Sequence, residues 1–170
     1  LRDISAGGEI ALTTVTRVEL PDISERYLVG SGDVVFRSRG ERTTAVALDP
    51  SLNEQAIAVL PLIILRPNPA IVTPEFLAWS INLPASQRQL EASSQGGNMR
   101  MVSKAALQEL TFDVPDLATQ RRIVAVANLA QREAALTASL AEMHLSFATL
   151  ALADAARRAS DRRPSERSNP

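Results

Sequence analysis

The sequence predicts an α+β protein: a mixed α/β domain over residues 1–115, one long coiled-coil-forming α-helix over 116–160, and a disordered tail over 161–170. Three observations predict it. All seven glycines and eight of the ten prolines fall in the first 115 residues, and residues 116–160 contain neither. That breaker-free stretch is rich in Ala, Leu, Arg and Gln, the composition of a continuous helix. Within it Val126, Leu129, Glu133, Leu136, Leu140, Met143, Phe147, Leu150 and Asp154 alternate steps of three and four, and all but Glu133 and Asp154 are apolar. That spacing is the seam of a coiled coil.

Taken in order, Ile10, Leu12, Thr14, Thr16 and Val18 share one face of a predicted first strand, although Val15 blurs the alternation. Residues 33–38 (DVVFRS) and 43–48 (TTAVAL) read as two strands, joined by residues 39–42 with Gly40 in the turn. The apolar run 56–65 reads as a buried strand pair or one bent strand, with Pro61 marking an edge or a break. Thr73 followed by Pro74 opens a helix with a cap and a proline at its first position. It carries Phe76, Leu77, Trp79 and Ile81 and ends before Pro84, and a second helix runs from 85 to 92. Ser103 caps a third helix over 104–110, and 111–114 returns as a strand. Asp116, just after Pro115, is placed to cap the long helix with its carboxylate. At 1.5 Å per residue that helix extends roughly 60–65 Å. A second helix accounts for four heptads of seam better than the small domain of the same chain does.

Composition narrows the chemistry. Apolar residues make up 45% of the chain, enough for a packed core, and charged residues 22%, which excludes wholesale disorder. With no cysteine there is neither a disulfide framework nor a thiolate ligand or nucleophile. With His144 as the only imidazole, the usual triads and histidine-rich metal sites lose their basis, and no cofactor or metal is expected. The 56–65 run is about half a membrane span, so a soluble, cytoplasmic protein is expected. Glycines in the Val29-Gly30-Ser31-Gly32 stretch do not open a helix, and Asp33 after them reads as a turn residue rather than part of a phosphate cradle. An enzyme is not expected.

Two segments are suited to binding instead. In residues 36–44 the guanidiniums of Arg37, Arg39 and Arg42 and the hydroxyl of Ser38 crowd a hairpin tip at Gly40. In residues 93–104 Gln95, Asn98, Arg100 and Lys104 surround two glycines and lead into a helix. Gln and Asn can address adenine bidentately, and Arg guanine. A solvated turn and an ordinary polar loop would carry similar residues. Of the 18 cations 17 are arginine, a bias that GC-rich coding explains as well as phosphate and base recognition does.

Taken together, the segments resemble the specificity subunit of type I restriction–modification systems: one target-recognition domain followed by its spacer helix. Residues 27–40 (YLVGSGDVVFRSRG) are similar to that family's Gly-Asp hairpin, 74–82 (PEFLAWSIN) to its helix ending in Asn, 95–104 (QGGNMRMVSK) to its glycine loop, and 112–123 (FDVPDLATQRRI) to its passage into the spacer. The resemblance covers nearly the whole chain and rests on the order and spacing of these pieces. It implies a non-catalytic DNA reader that directs adenine methyltransferase subunits, and an ATP-dependent restriction subunit, to one half of a bipartite target. Arg37, Ser38, Arg39, Arg42, Gln95, Asn98, Arg100 and Lys104 are the expected DNA contacts. The family's subunit holds two such domains and this chain has room for one, so Val126, Leu129, Leu136, Leu140, Met143, Phe147 and Leu150 are expected to join two copies, in antiparallel orientation. The first 115 residues carry 10 basic and 13 acidic side chains, an unhelpful balance for a polyanion. That balance keeps a second reading open: a helix-mediated adaptor that holds methyltransferase subunits without touching DNA.

Overall fold

A computed structural model gives the architecture and describes residues 16, 23–40, 43–49, 56–93 and 101–161. A 3-10 turn at Glu25–Tyr27 leads into β1 (Leu28–Val29), β2 (Val34–Arg37), β3 (Thr44–Ala47), β4 (Ala56–Ile57) and β5 (Leu62–Leu65). The helices are α1 (Pro74–Asn82), α2 (Pro84–Ala92), α3 (Lys104–Gln108) and α4 (Leu117–Asp161). The protein is therefore mixed α+β, with a small antiparallel sheet region followed by one long helix. The chain divides into two compact units, Leu1–Ala125 and Val126–Pro170.

The sheet forms because β2 is apolar on both faces. Its neighbours are antiparallel in the order β3-β2-β5, so Val34 and Phe36 stand opposite Ala47 and Ala45 on one side and Leu65 and Ile63 on the other. Period-2 alternation sends these side chains to the helical face, where they join Ala78, Ile81, Leu90, Val102, Ala106 and Leu107. Val35 points to the opposite face and packs with Val46, Val29, Leu48 and Ala58. There β1 and β4 pair as a separate two-stranded ladder. The 56–65 run is thus two strands with a turn at Pro61, but they belong to different sheets and do not pair with each other.

Turn chemistry starts the hairpin. Asp33 receives the Gly30 N–H on its carboxylate (3.1 Å) and donates its own N–H to the Gly30 carbonyl (3.1 Å). Gly32 closes that turn at a φ of 93°, a left-handed value that favours glycine. The Arg66 guanidinium lies 3.6 Å from the Asp33 carboxylate and donates to the Leu28 carbonyl at 2.8 Å, tying the turn to the end of β5. The turn reading of Asp33 stands.

The helices start where their caps sit. Thr73 accepts the Phe76 N–H and Ser103 the Ala106 N–H on their hydroxyls. Asn82 at the end of α1 gives its amide to both backbone groups of Ala45, accepting from the N–H (2.8 Å) and donating to the carbonyl (2.7 Å). Among the described strands β3 is the outer one of its sheet, and this one side chain satisfies backbone groups on its edge. The third helix ends at Gln108, two residues short of expectation. Residues 111–114 are not a strand: among the described residues no strand pairs with the segment. The predicted strand around residues 10–18 and the tail over 162–170 lie outside the described residues, apart from Thr16.

Asp116 caps α4 as its position implies. One carboxylate oxygen accepts the N–H groups of Ala118 (2.9 Å) and Thr119 (3.0 Å), and the other accepts the Thr119 hydroxyl (2.7 Å). The Thr119 hydroxyl, then its N–H, hold the Asp116 carboxyl below its ordinary pKa. Four residues on, Gln120 is completely buried. Its amide nitrogen donates to the carbonyls of Ile71 (2.9 Å) and Pro115 (2.7 Å), and its oxygen accepts the Thr73 N–H (2.9 Å). The first turns of α4 are thereby part of the domain. For that reason the compact unit extends to Ala125, ten residues beyond the boundary read from composition.

Candidate nucleic-acid interface

The two polar segments meet. Beyond β2 the chain continues through Ser38 to Arg39, and Arg39 forms an isolated antiparallel bridge with Met101. The Val102 N–H donates to the Ser38 carbonyl at 2.9 Å. The stem of the hairpin tip and the C-terminal stem of the glycine loop therefore lie side by side, 62 residues apart in sequence but joined by backbone bonds. Gly40 follows at a φ of 138°, where a side chain would be strained.

The predicted contact residues take different places around this junction. Arg37 ends β2 opposite Thr44 and Leu62, half-buried, with its Nε withdrawn from solvent. Arg39 is exposed beside Met101. Lys104 is exposed at the first position of α3 and lines a shallow depression of about 330 Å³ with Arg66, Leu77, Leu107 and Gln108. Ser38 is only 4% exposed, and its hydroxyl donates to the Pro61 carbonyl at 2.6 Å. Its side chain ties two turns together and does not face a ligand. Arg42, Gln95, Asn98 and Arg100 lie outside the described residues.

Sequence reasoning missed the scaffold of this junction. Asn82, Gln87 and Gln120 were not singled out, yet each is committed to a neighbour. Gln87 accepts the Thr43 hydroxyl (2.8 Å) and donates to the Ile81 carbonyl (2.8 Å), fixing the start of β3 against α1 and α2. The available signal was positional: Asn82 and Gln120 both fall inside segments that carry the family resemblance.

In the second unit, Val126, Leu129, Leu136, Leu140, Met143, Phe147 and Leu150 are all exposed, Phe147 at 74%. Leu145 and Leu152 are exposed as well, at heptad positions away from the seam. Asp154, at the end of the seam, is engaged by Arg158 four residues later (2.6 Å) and approached by Arg157 (3.9 Å). Among the described residues, α4 is the one helix long and apolar enough to cross a membrane by length and composition alone. No group of three or more His, Asp or Glu side chains is placed to hold a metal ion among the described residues. No protein-family model matches the chain, and no curated protein is found to match it.

Proposed function

We propose that the protein is a sequence-specific DNA-recognition subunit of the type I restriction–modification kind, with no catalytic role of its own. The observation that carries this reading is the junction at Ser38–Arg39 and Met101–Val102. It gathers the stems of two glycine-containing, arginine-bearing segments on one rigid support. Base edges are read by side chains from such loops, while phosphate contacts fix register. Arg39, Lys104 and the arginines and amides of the neighbouring stretches serve these purposes. Asp33, Asn82 and Gln120, one from each of three of the resembling segments, fix a turn and two helix ends of the same domain. Adenine methyltransferase subunits, and an ATP-dependent restriction subunit where one is present, supply the chemistry.

The long helix is the spacer, and a second copy of the chain covers its seam. In an antiparallel pair centred near Met143, Leu136 meets Leu150 of the mate and Leu140 meets Phe147. Glu133 then approaches Asp154 of the mate, and the arginines that already engage Asp154 relieve the repulsion. Two recognition domains related by a two-fold axis read a palindromic, interrupted site. Pairing in the cytoplasm also suits the helix better than a bilayer does. Glu133, Glu142 and His144 lie near its middle, and an acidic side chain at a bilayer centre costs about 2.5–3.5 kcal/mol.

Mobility shift of random-sequence duplexes, with and without a methyltransferase partner, tests the reading. Alanine at Arg37, Arg39 and Arg100 together is expected to remove discrimination between duplexes and flatten the salt dependence of binding. Unchanged binding by the triple variant would remove these residues from the interface. A chain that captures methyltransferase subunits but shifts no duplex would instead be the adaptor.

A further inference from the structure

The turn between β4 and β5 turns its aliphatic side chains outward. Leu60 is 87% exposed and Val59 62%. The turn is closed by the Leu62 N–H donating to the Val59 carbonyl (3.0 Å). It is pinned from β2, because both the N–H and the hydroxyl of Ser38 donate to the Pro61 carbonyl, at 3.2 and 2.6 Å. Ser38 also accepts the Val102 N–H, and the adjoining Met101 is 53% exposed. Three exposed apolar side chains therefore surround the point where the two polar segments meet. Turns that face only water are ordinarily built from Gly, Pro, Asn, Asp or Ser, and Val59 and Leu60 depart from that habit.

Charge selects the partner. Arg37 and Arg39 flank Ser38, and Lys104 follows Val102 by two residues, so three cations adjoin this junction; the nearest acidic residues in sequence are Asp33, which Arg66 engages, Glu41 and Glu109. The first 115 residues as a whole carry three more acidic than basic groups. An apolar tip set among cations, in a domain otherwise net negative, suits a polyanion that also displays methyl groups. In duplex DNA that group is the C5-methyl of thymine, which only the major groove presents.

We infer that Val59 and Leu60 form an apolar reading tip that packs on a thymine methyl group in the major groove. This rests on the DNA-reading function proposed above and adds to it a determinant outside both polar segments. Ser38 is its positioning residue, since the buried hydroxyl fixes the turn without meeting the ligand. The tip distinguishes thymine from cytosine and uracil by the methyl group alone.

The test uses the full chain and the duplex it enriches from a random pool, with each thymine replaced singly by uracil. Uracil pairs as thymine does and lacks only the methyl group. At one or two positions the unmodified protein is expected to bind the uracil duplex about fourfold more weakly, the worth of one buried methyl group. Leu60→Ser is expected to bind thymine and uracil duplexes alike, with the salt dependence of the unmodified protein. Leu60 is almost wholly exposed, so this variant keeps the fold. Specific binding with no thymine–uracil difference at any position, an enriched site without thymine, or a Leu60→Ser protein that still prefers thymine would overturn the inference while leaving the DNA reader standing. A Leu60→Ser protein that reads DNA unchanged but no longer captures a methyltransferase would assign the tip to a protein partner instead. If no sequence is enriched at all, the tip and the reader fall together.

Discussion

Replacing Leu140 and Phe147 with Asp is expected to dissociate the proposed dimer to monomers while leaving the first compact unit folded. Both side chains are exposed in the single chain and meet each other's copies in the proposed antiparallel pair. Burying an aliphatic or aromatic side chain of this size stabilises an interface by about 1.5–3 kcal/mol. The double variant removes four such contributions from a dimer, two from each copy. It also places four carboxylates in the seam, which have no cation to meet at these positions. The core of the domain lies in the sheet and α1–α3, so its denaturation profile is expected to stay unchanged. Sedimentation of both proteins at tens of micromolar, without methyltransferase, reads the outcome. A monomeric unmodified chain would remove the self-pairing from the account, and a double variant that stays dimeric would place the interface elsewhere.

The second large effect is expected at Gln120. Alanine there strands the Thr73 N–H and deprives the Ile71 and Pro115 carbonyls of their amide donor, around a side chain that is itself fully buried. Each net hydrogen bond contributes about 0.5–1.5 kcal/mol, and an unsatisfied buried group costs about 1–3 kcal/mol. A total loss of about 3 kcal/mol or more is expected on urea denaturation. Gln120→Glu keeps the shape but turns a carboxylate oxygen toward two carbonyls. Its carboxyl is therefore expected to titrate above the ordinary range in the folded state. A raised folded value means the variant is relatively more stable at low pH and loses that stability as pH rises through the folded value. A Gln120→Ala protein as stable as the original would show that the start of α4 is held by its Asp116 cap and by apolar packing alone.

Much of the fold was legible because local chemistry announces it. Asp33 and Gly32 define a turn, Thr73-Pro74 and Ser103 define helix starts, and Pro115-Asp116 followed by 45 breaker-free residues defines α4. What was not legible depends on contacts far apart in the chain. The 56–65 run has no periodicity that could tell one bent strand from two strands in different sheets. Its division follows from β2, which takes β5 as a neighbour, while β4 pairs with β1. Residues 111–114 have strand-like composition, but none of the described strands pairs with them. Ser38 looked like a contact residue because it stands between two arginines. Its burial is decided by Pro61, 23 residues away. Gln120 carries no local sign of burial, because its three partners include groups 47 and 49 residues earlier. The two polar segments were each visible in the sequence. Their meeting at Arg39 and Met101 joins residues 62 positions apart, and only the fold brings it about.

We propose that this chain reads DNA sequence. Selection from a random pool of long duplexes by the full-length protein, in the presence of an adenine methyltransferase subunit, tests it most directly. The account predicts enrichment of one motif: two identical half-sites in inverted orientation, separated by a gap of constant length and no fixed sequence. A pool that remains random after repeated selection, while the methyltransferase is retained on the protein, would contradict it.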